Sequence, residues 1–150
     1  MKVYIKNQQR LIKVNPQRIR KYLRKALQLL GLQRAELSIL LINDRRMKIL
    51  NRQYRGIART TDVLSFPQLP TSYFSLPTSH LSLGDIVINL PKAKKQASEH
   101  GLTLDEELRW LLIHGLLHLI GYDHEKSRYH KNKMRLKERE MLDALTMGNL

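Results

Sequence analysis

Residues 103–124 read TLDEELRWLLIHGLLHLIGYDH. Thr103 and Glu106 have the spacing of a capping box, in which each side chain satisfies a backbone amide of the other at a helix start. The helix they open is apolar nearly all round, with Leu104, Leu108, Trp110, Leu111, Leu112, Ile113, Leu116, Leu117, Leu119 and Ile120. Such a helix is buried, so it runs through the core rather than along its surface. Gly121 ends it, because glycine accepts the left-handed conformation of a helix C′ position. Three of the six histidines, His114, His118 and His124, fall in the last eleven residues of the stretch. His114 and His118 are four apart, which puts their Cβ atoms about 5–6 Å apart on one helical face. The reversal at Gly121 returns His124 toward that pair. Three imidazoles with one position left open are the ligand set of a catalytic zinc, as opposed to a closed structural one.

The spacing His-x3-His-x2-Gly-x2-His resembles that of the metzincin zinc peptidases. Those enzymes carry a glutamate directly after the first histidine, as general base. Here that place is Gly115. The stretch therefore offers a metzincin-like metal helix without the metzincin base. Asp123, beside His124, reads either as an acceptor that orients a ligand or as a turn residue. His80, His100 and His130 stand alone and read as ordinary surface or loop histidines. There is no cysteine, which excludes disulfides, thiol catalysis and thiolate metal sites.

Outward from this helix, the chain alternates short strands and helices. Residues 2–6 alternate apolar and polar, a strand signal. Asn15-Pro16 is an N-cap followed by an N1 proline, and Ile19, Tyr22, Leu23, Ala26, Leu27 and Leu30 follow at helical spacing up to Gly31. Residues 36–42 form a mostly apolar strand. Asn43 or Asp44 caps a second helix, with Met47, Leu50 and Tyr54 on its buried face. A third strand spans 61–67 and a fourth 84–90. Residues 67–83 hold three of the five prolines and read as a long surface loop, either flanking a substrate cleft or a plain excursion. Pro91 starts a helix that Gly101 stops, and a charged helix covers about 127–146. The sum is one α+β domain over residues 1–150, a small, mostly four-stranded mixed sheet packed with about five helices.

The 27 Lys and Arg against 13 Asp and Glu give a net charge of +14. The excess is uneven: residues 1–60 hold 16 basic and two acidic side chains, residues 61–150 eleven of each. One strongly positive face is expected, with a polyanion as partner. On the first helix, Arg18, Arg20, Lys21, Arg24 and Lys25 supply it, and Arg59 adds to it further on. No apolar run approaches the ~20 residues that cross a bilayer, and the N-terminus lacks the apolar centre of a signal peptide. A cytoplasmic protein without a membrane partner is expected.

HGLLHLIGYDH at 114–124 resembles the signature of the YbeY family, bacterial metal-dependent endoribonucleases linked to ribosome maturation. Two further segments match in order and distance: LNRQYRG at 50–56 with TDVLSFP at 61–67, and LGDIVI at 83–88. The resemblance implies a one-domain α+β fold, one zinc per chain held by His114, His118 and His124, and cleavage of single-stranded RNA, ribosomal RNA in particular, with ribosomal proteins as further partners. It gives Arg55 a functional role. The family's Lys-Asp-x-Pro-Thr-Asp is replaced here by Ile57-Ala58-Arg59-Thr60-Thr61-Asp62, so Thr60 stands where the family has proline.

Elementary chemistry agrees with that reading. Bound zinc lowers the pKa of water from 15.7 to about 7, so no carboxylate base is required. Attack by that water or by the RNA 2′-OH both remain open. An arginine fork matches phosphate oxygens bidentately, which suits Arg55 to the transferring phosphate. Other divalent transition metals also accept three imidazoles. Asp62 and Asp85 read as capping or turn groups rather than bases. Tyr54, Phe66 and Trp110 read as core. Two alternatives are carried: a zinc peptidase or other hydrolase using the same cage, and a non-catalytic RNA-binding assembly factor with a structural metal.

Overall fold

The computed structural model describes residues 2–68 and 81–147. The chain runs β1 (Lys2–Asn7), α1 (Pro16–Leu29), β2 (Ala35–Ile42), α2 (Asp44–Arg55), β3 (Val63–Pro67), β4 (Leu81–Asn89), α3 (Leu90–Glu99), α4 (Leu104–Leu119) and α5 (Arg128–Met147). The sheet order is β1-β2-β4-β3. β1 and β4 each pair parallel with β2, and β3 pairs antiparallel with β4. The expected mixed four-stranded sheet with five helices is therefore what forms.

Side-chain alternation sorts the layers. Leu37, Ile39 and Leu41 of β2 and Ile86 and Ile88 of β4 join a core with α1, α3, α4 and α5. Ile42, Leu64 and Val87 point to the other face, where Met47 of α2 covers them. The C-terminal ends of β2 and β4, Leu41-Ile42 and Ile86–Asn89, are buried on both faces, whereas Glu36, Ser38 and Asp85 sit on the part of the sheet that α2 leaves uncovered. α4 is fixed most firmly. Leu111, Leu112, Ile113, Leu116, Leu117 and Leu119 are each 2% exposed or less, worth roughly 1.5–3 kcal/mol apiece. The half of α4 that carries the histidines is thus a rigid platform.

The helix starts follow their caps. Asn15 accepts from the Gln17 amide, Asn43 from the Arg46 amide, and Thr103 and Glu106 complete the capping box. The cap of α3 is Asn89, whose Oδ1 accepts from the Lys92 amide. Some expectations need correction. β3 begins at Val63, and β4 begins at Leu81, which pairs with Ala35 across an irregularity at Glu36/Leu37. Tyr54 is 65% exposed, because α2 lies alone on its side of the sheet and its inner face ends at the buried Asn51. Tyr54 packs edge-on against half-buried Phe66, with ring centroids 5.1 Å apart. Trp110 is half-buried at the margin of the larger core. His80 and residues 69–80 of the expected loop lie outside the described residues.

Candidate metal centre

The last two turns of α4 and the turn after it bring His114, His118 and His124 together. Gly121, at φ 106°, makes the reversal, and the Tyr122 amide bonds back to the Leu117 carbonyl at 2.9 Å. His118 Nε2 lies 3.2 Å from His114 Nε2 and 2.9 Å from His124 Nδ1. A tetrahedral zinc with Zn–N near 2.0–2.1 Å holds its nitrogens roughly 3.3 Å apart, so the spacing suits such an ion. The proton arrangement points the same way. His114 donates from Nδ1 to the Glu138 carboxylate at 2.5 Å, which leaves its Nε2 as a bare lone pair. His118 turns its Nε2 toward both of the other rings. Two ring nitrogens face each other at 3.2 Å, and in the neutral rings a cation between them would take a lone pair from each. Burial, and next the two neighbouring imidazoles, hold the His118 pKa below its ordinary value, favouring the neutral form that ligates a metal.

Sequence reasoning missed Glu138. It lies on α5, is 8% exposed, and accepts from His114 Nδ1 and, at 3.3 Å, from Trp110 Nε1. A carboxylate behind a ligating histidine fixes its tautomer and ring orientation. The signal was present in the sequence: Glu138 interrupts the buried stripe Met134, Met141, Leu145 at helical spacing. Asp123 does not take that orienting role. Its Oδ1 accepts the Glu125 amide at 2.8 Å, which, as the largest cause, keeps its pKa low, so it is a turn residue. His100 is not an isolated surface histidine either, since its Nδ1 lies 3.0 Å from the fully buried Glu107.

Gly115 has a physical reason. Ser65 on β3 donates to its carbonyl at 3.2 Å, so α4 sits close on the sheet there. A Cβ at this position would fall 2.9 Å from Ile86 Cγ2 and 3.2 Å from Ser65 Oγ. A side chain here requires Ile86 or the helix to shift.

The three histidines open onto a cleft of about 510 Å3 that is also lined by Arg55, Thr61, Asp62 and Ser65. α4 and α2 lie on opposite faces of the sheet, so the cleft wraps the edge strand β3. Arg55 ends α2 and Gly56, at φ 68°, turns the chain. The loop that follows is held by two buried asparagines. Asn51 Nδ2 donates to the Arg59 carbonyl at 2.8 Å, and Asn89 Nδ2 donates to Thr60 Oγ1 at 3.0 Å and to the Thr61 carbonyl at 3.3 Å. Thr60, in the family's proline position, is thus a hydroxyl acceptor in the network. Thr61 donates to Asp62 Oδ1 at 3.3 Å. Asp85 is exposed within β4.

The basic residues of α1 lie elsewhere. Arg18 pairs with Asp105 at 3.1 Å, in the first turn of α4, and Asp105 is ~20 Å along the helix from His118 at 1.5 Å per residue. Arg20 is engaged by the Val3 carbonyl and Gln17. The excess charge therefore does not form one face. α1 lies on the α4 side of the sheet, and α2 with Arg55 on the other.

Comparison with known proteins bears on this site. Residues 4–146 match the family described as endoribonuclease YbeY. The endoribonuclease YbeY of Persephonella marina is 49% identical over 111 residues, covering 73% of this chain and 69% of that protein. The one from Aquifex aeolicus is 40% identical over 134 residues, covering 89% and 86%. The solution structure of TM1509 from Thermotoga maritima superposes with a TM-score of 0.66 at 25% identity, covering 95% of this chain and 88% of that one. Among the described residues, no helix is long and apolar enough to cross a membrane.

Proposed function

This chain belongs to the YbeY endoribonuclease family, and from that premise we propose that it is a single-strand-specific, zinc-dependent endoribonuclease acting on ribosomal RNA in maturation and ribosome quality control. The observation that carries the reading is the convergence of three imidazole nitrogens in a cleft that Arg55 also lines. An all-nitrogen ligand set disfavours magnesium and calcium, which take oxygen ligands, and suits zinc. A zinc ion held by His114, His118 and His124 would supply Lewis acidity and would activate either a bound water or the RNA 2′-OH for attack on the phosphodiester. The chain's own residues do the rest. Glu138 orients His114, α4 fixes the geometry, and the Arg55 guanidinium neutralises charge on the phosphate being cleaved.

The peptidase alternative loses support at Gly115, which offers no base and is packed closely against Ile86 and Ser65. A purely structural metal calls for a fourth protein ligand, and the cluster among the described residues offers three.

Labelled single-stranded RNA, the same RNA as duplex, and casein, each incubated with and without a chelator, test the reading. Cleavage of the single strand alone, abolished by the chelator and restored by zinc, is expected. Casein hydrolysis would favour the peptidase, and tight RNA binding without turnover the assembly factor. Arg55→Ala should lower turnover by ~10²–10³, the size of one missing preorganised donor, with metal content intact. Arg55→Lys should recover only part, since an ammonium lacks the fork. Single-turnover cleavage at saturating enzyme reads this, and a wild-type rate there would make Arg55 a docking residue.

A further inference from the structure

A second cavity, of about 610 Å3, adjoins the metal cleft, and Arg55 lines both. Its walls are α2, the loop at 57–61 and the first turn of α3. From these come four cations: Lys48, Arg55, Arg59 and Lys92. The one carboxylate there, Asp44, accepts Asn89 Nδ2 at 2.8 Å and also feels the charges of Lys92 and Lys48, which leaves the four cations in excess over it. Among the described residues, none of Lys48, Arg55, Arg59 and Lys92 has a carboxylate oxygen within ion-pair distance. Four like charges around one depression repel each other, and an anion seated among them relieves that cost.

The loop carrying Arg59 is also preorganised. Asn51, 3% exposed, holds the Arg59 carbonyl, and Asn89, fully buried, holds Thr60, Thr61 and Asp44. Prearranged positive charge beside a phosphate-cleaving site has a particular use. A polynucleotide carries a phosphate at every residue, so a strand lying in the metal cleft must send its neighbouring phosphates somewhere. The shared wall at Arg55 leads into this cavity.

We propose that the cavity is a backbone subsite, in which Lys48, Arg59 and Lys92 hold a phosphate flanking the scissile one. This rests on the reading of RNA as substrate. It assigns to α2 and α3 a docking role of their own, beside the one expected of α1.

The test is a triple variant, Lys48→Gln/Arg59→Gln/Lys92→Gln. Lys48 and Arg59 are exposed, and the Asn89 cap contacts only the Lys92 backbone, so folding should be retained. Binding of a labelled 2′-O-methyl oligoribonucleotide, which blocks attack by the 2′ position and is checked on gels for hydrolysis by metal-activated water, is followed by fluorescence anisotropy against salt in metal-loaded protein. Affinity at low salt should fall at least ~10-fold, and the slope of log Kobs against log salt should become shallower by about 0.7 for each phosphate no longer neutralised. On a cleavable strand, KM should rise while the single-turnover rate at saturating enzyme stays at the wild-type value. An unchanged slope and KM would overturn the subsite, as would a collapsed single-turnover rate with metal intact, which would move these cations into the chemistry. If the wild-type protein cleaves no RNA, the nuclease reading fails on its own, and the salt slope still decides whether the cavity binds the backbone.

Discussion

Two imidazole–carboxylate pairs flank helix α4, one near each end, and they do different work. At the C-terminal half, His114 Nδ1 donates to Glu138, and its Nε2 meets His118 and a cleft. At the N-terminal end, His100 Nδ1 bonds the fully buried Glu107, and the rest of its ring is half exposed, with no second imidazole beside it among the described residues. Both bonds join Nδ1 to a carboxylate, at 2.5 Å for His114 and 3.0 Å for His100. What differs is the second nitrogen. Where it faces other donors, the carboxylate sets a ligand; where it faces solvent, the histidine only satisfies a carboxylate that would otherwise be buried without a partner. Glu107 Oε1 still has no protein partner among the described residues.

The sharpest way to break this comparison is to neutralise the two carboxylates in turn. Glu138→Gln should weaken zinc affinity by ~10–100-fold, the range for removing the partner behind a ligand. Glu107→Gln should leave zinc affinity unchanged while altering stability. Competition with a chromogenic chelator reads both. Equal zinc affinity in the two variants would remove the distinction.

A smaller effect probes the platform between the pairs. Gly115→Ala places a methyl 2.9 Å from Ile86 Cγ2, and overpacking of this kind costs about 1–3 kcal/mol. Urea unfolding should show that loss. Wild-type stability would mean that the helix or Ile86 shifts freely, and would undo the argument from close packing here.

The smallest effect separates the pairs by pH. The Glu107 carboxylate raises the His100 pKa above its ordinary value, first through the hydrogen bond and then through its charge, with Glu99 and Asp62 adding to it. A raised folded value means the protonated histidine stabilises the native state fully below pH ~6.5, and that the contribution fades as pH rises through the folded value. As pH rises above about 6.5, the melting temperature of the zinc-loaded wild type should therefore lose ground relative to that of His100→Gln. Parallel curves for the two proteins would contradict the assignment.

The legible parts of the sequence were those fixed by local chemistry. Asn15-Pro16, Asn43 and the Thr103/Glu106 box are caps, and each opens its helix where expected. The three histidines were legible because helical spacing and a glycine turn are enough to bring them together. Glu138 was obscured by the many charges of α5, and its meaning depends on which face α5 turns to α4, a tertiary fact. Tyr54 follows the apolar spacing of α2, yet α2 covers only part of a sheet face and leaves that position in water. Lys92 and Arg59 are far apart in sequence, and only the two asparagines that hold the 57–61 loop bring them to one cavity.

The central claim is that one metal, held by His114, His118 and His124, is what makes the cleft cut RNA. Zinc titrated into metal-free protein, with bound zinc and the rate of single-stranded RNA cleavage measured on the same samples, tests it most directly. Cleavage should rise in proportion to bound zinc and saturate at one ion per chain, with His114→Ala, His118→Ala and His124→Ala each failing to bind or cleave while His100→Ala does both. Full zinc occupancy in the three ligand variants, or cleavage by metal-free protein, would contradict it.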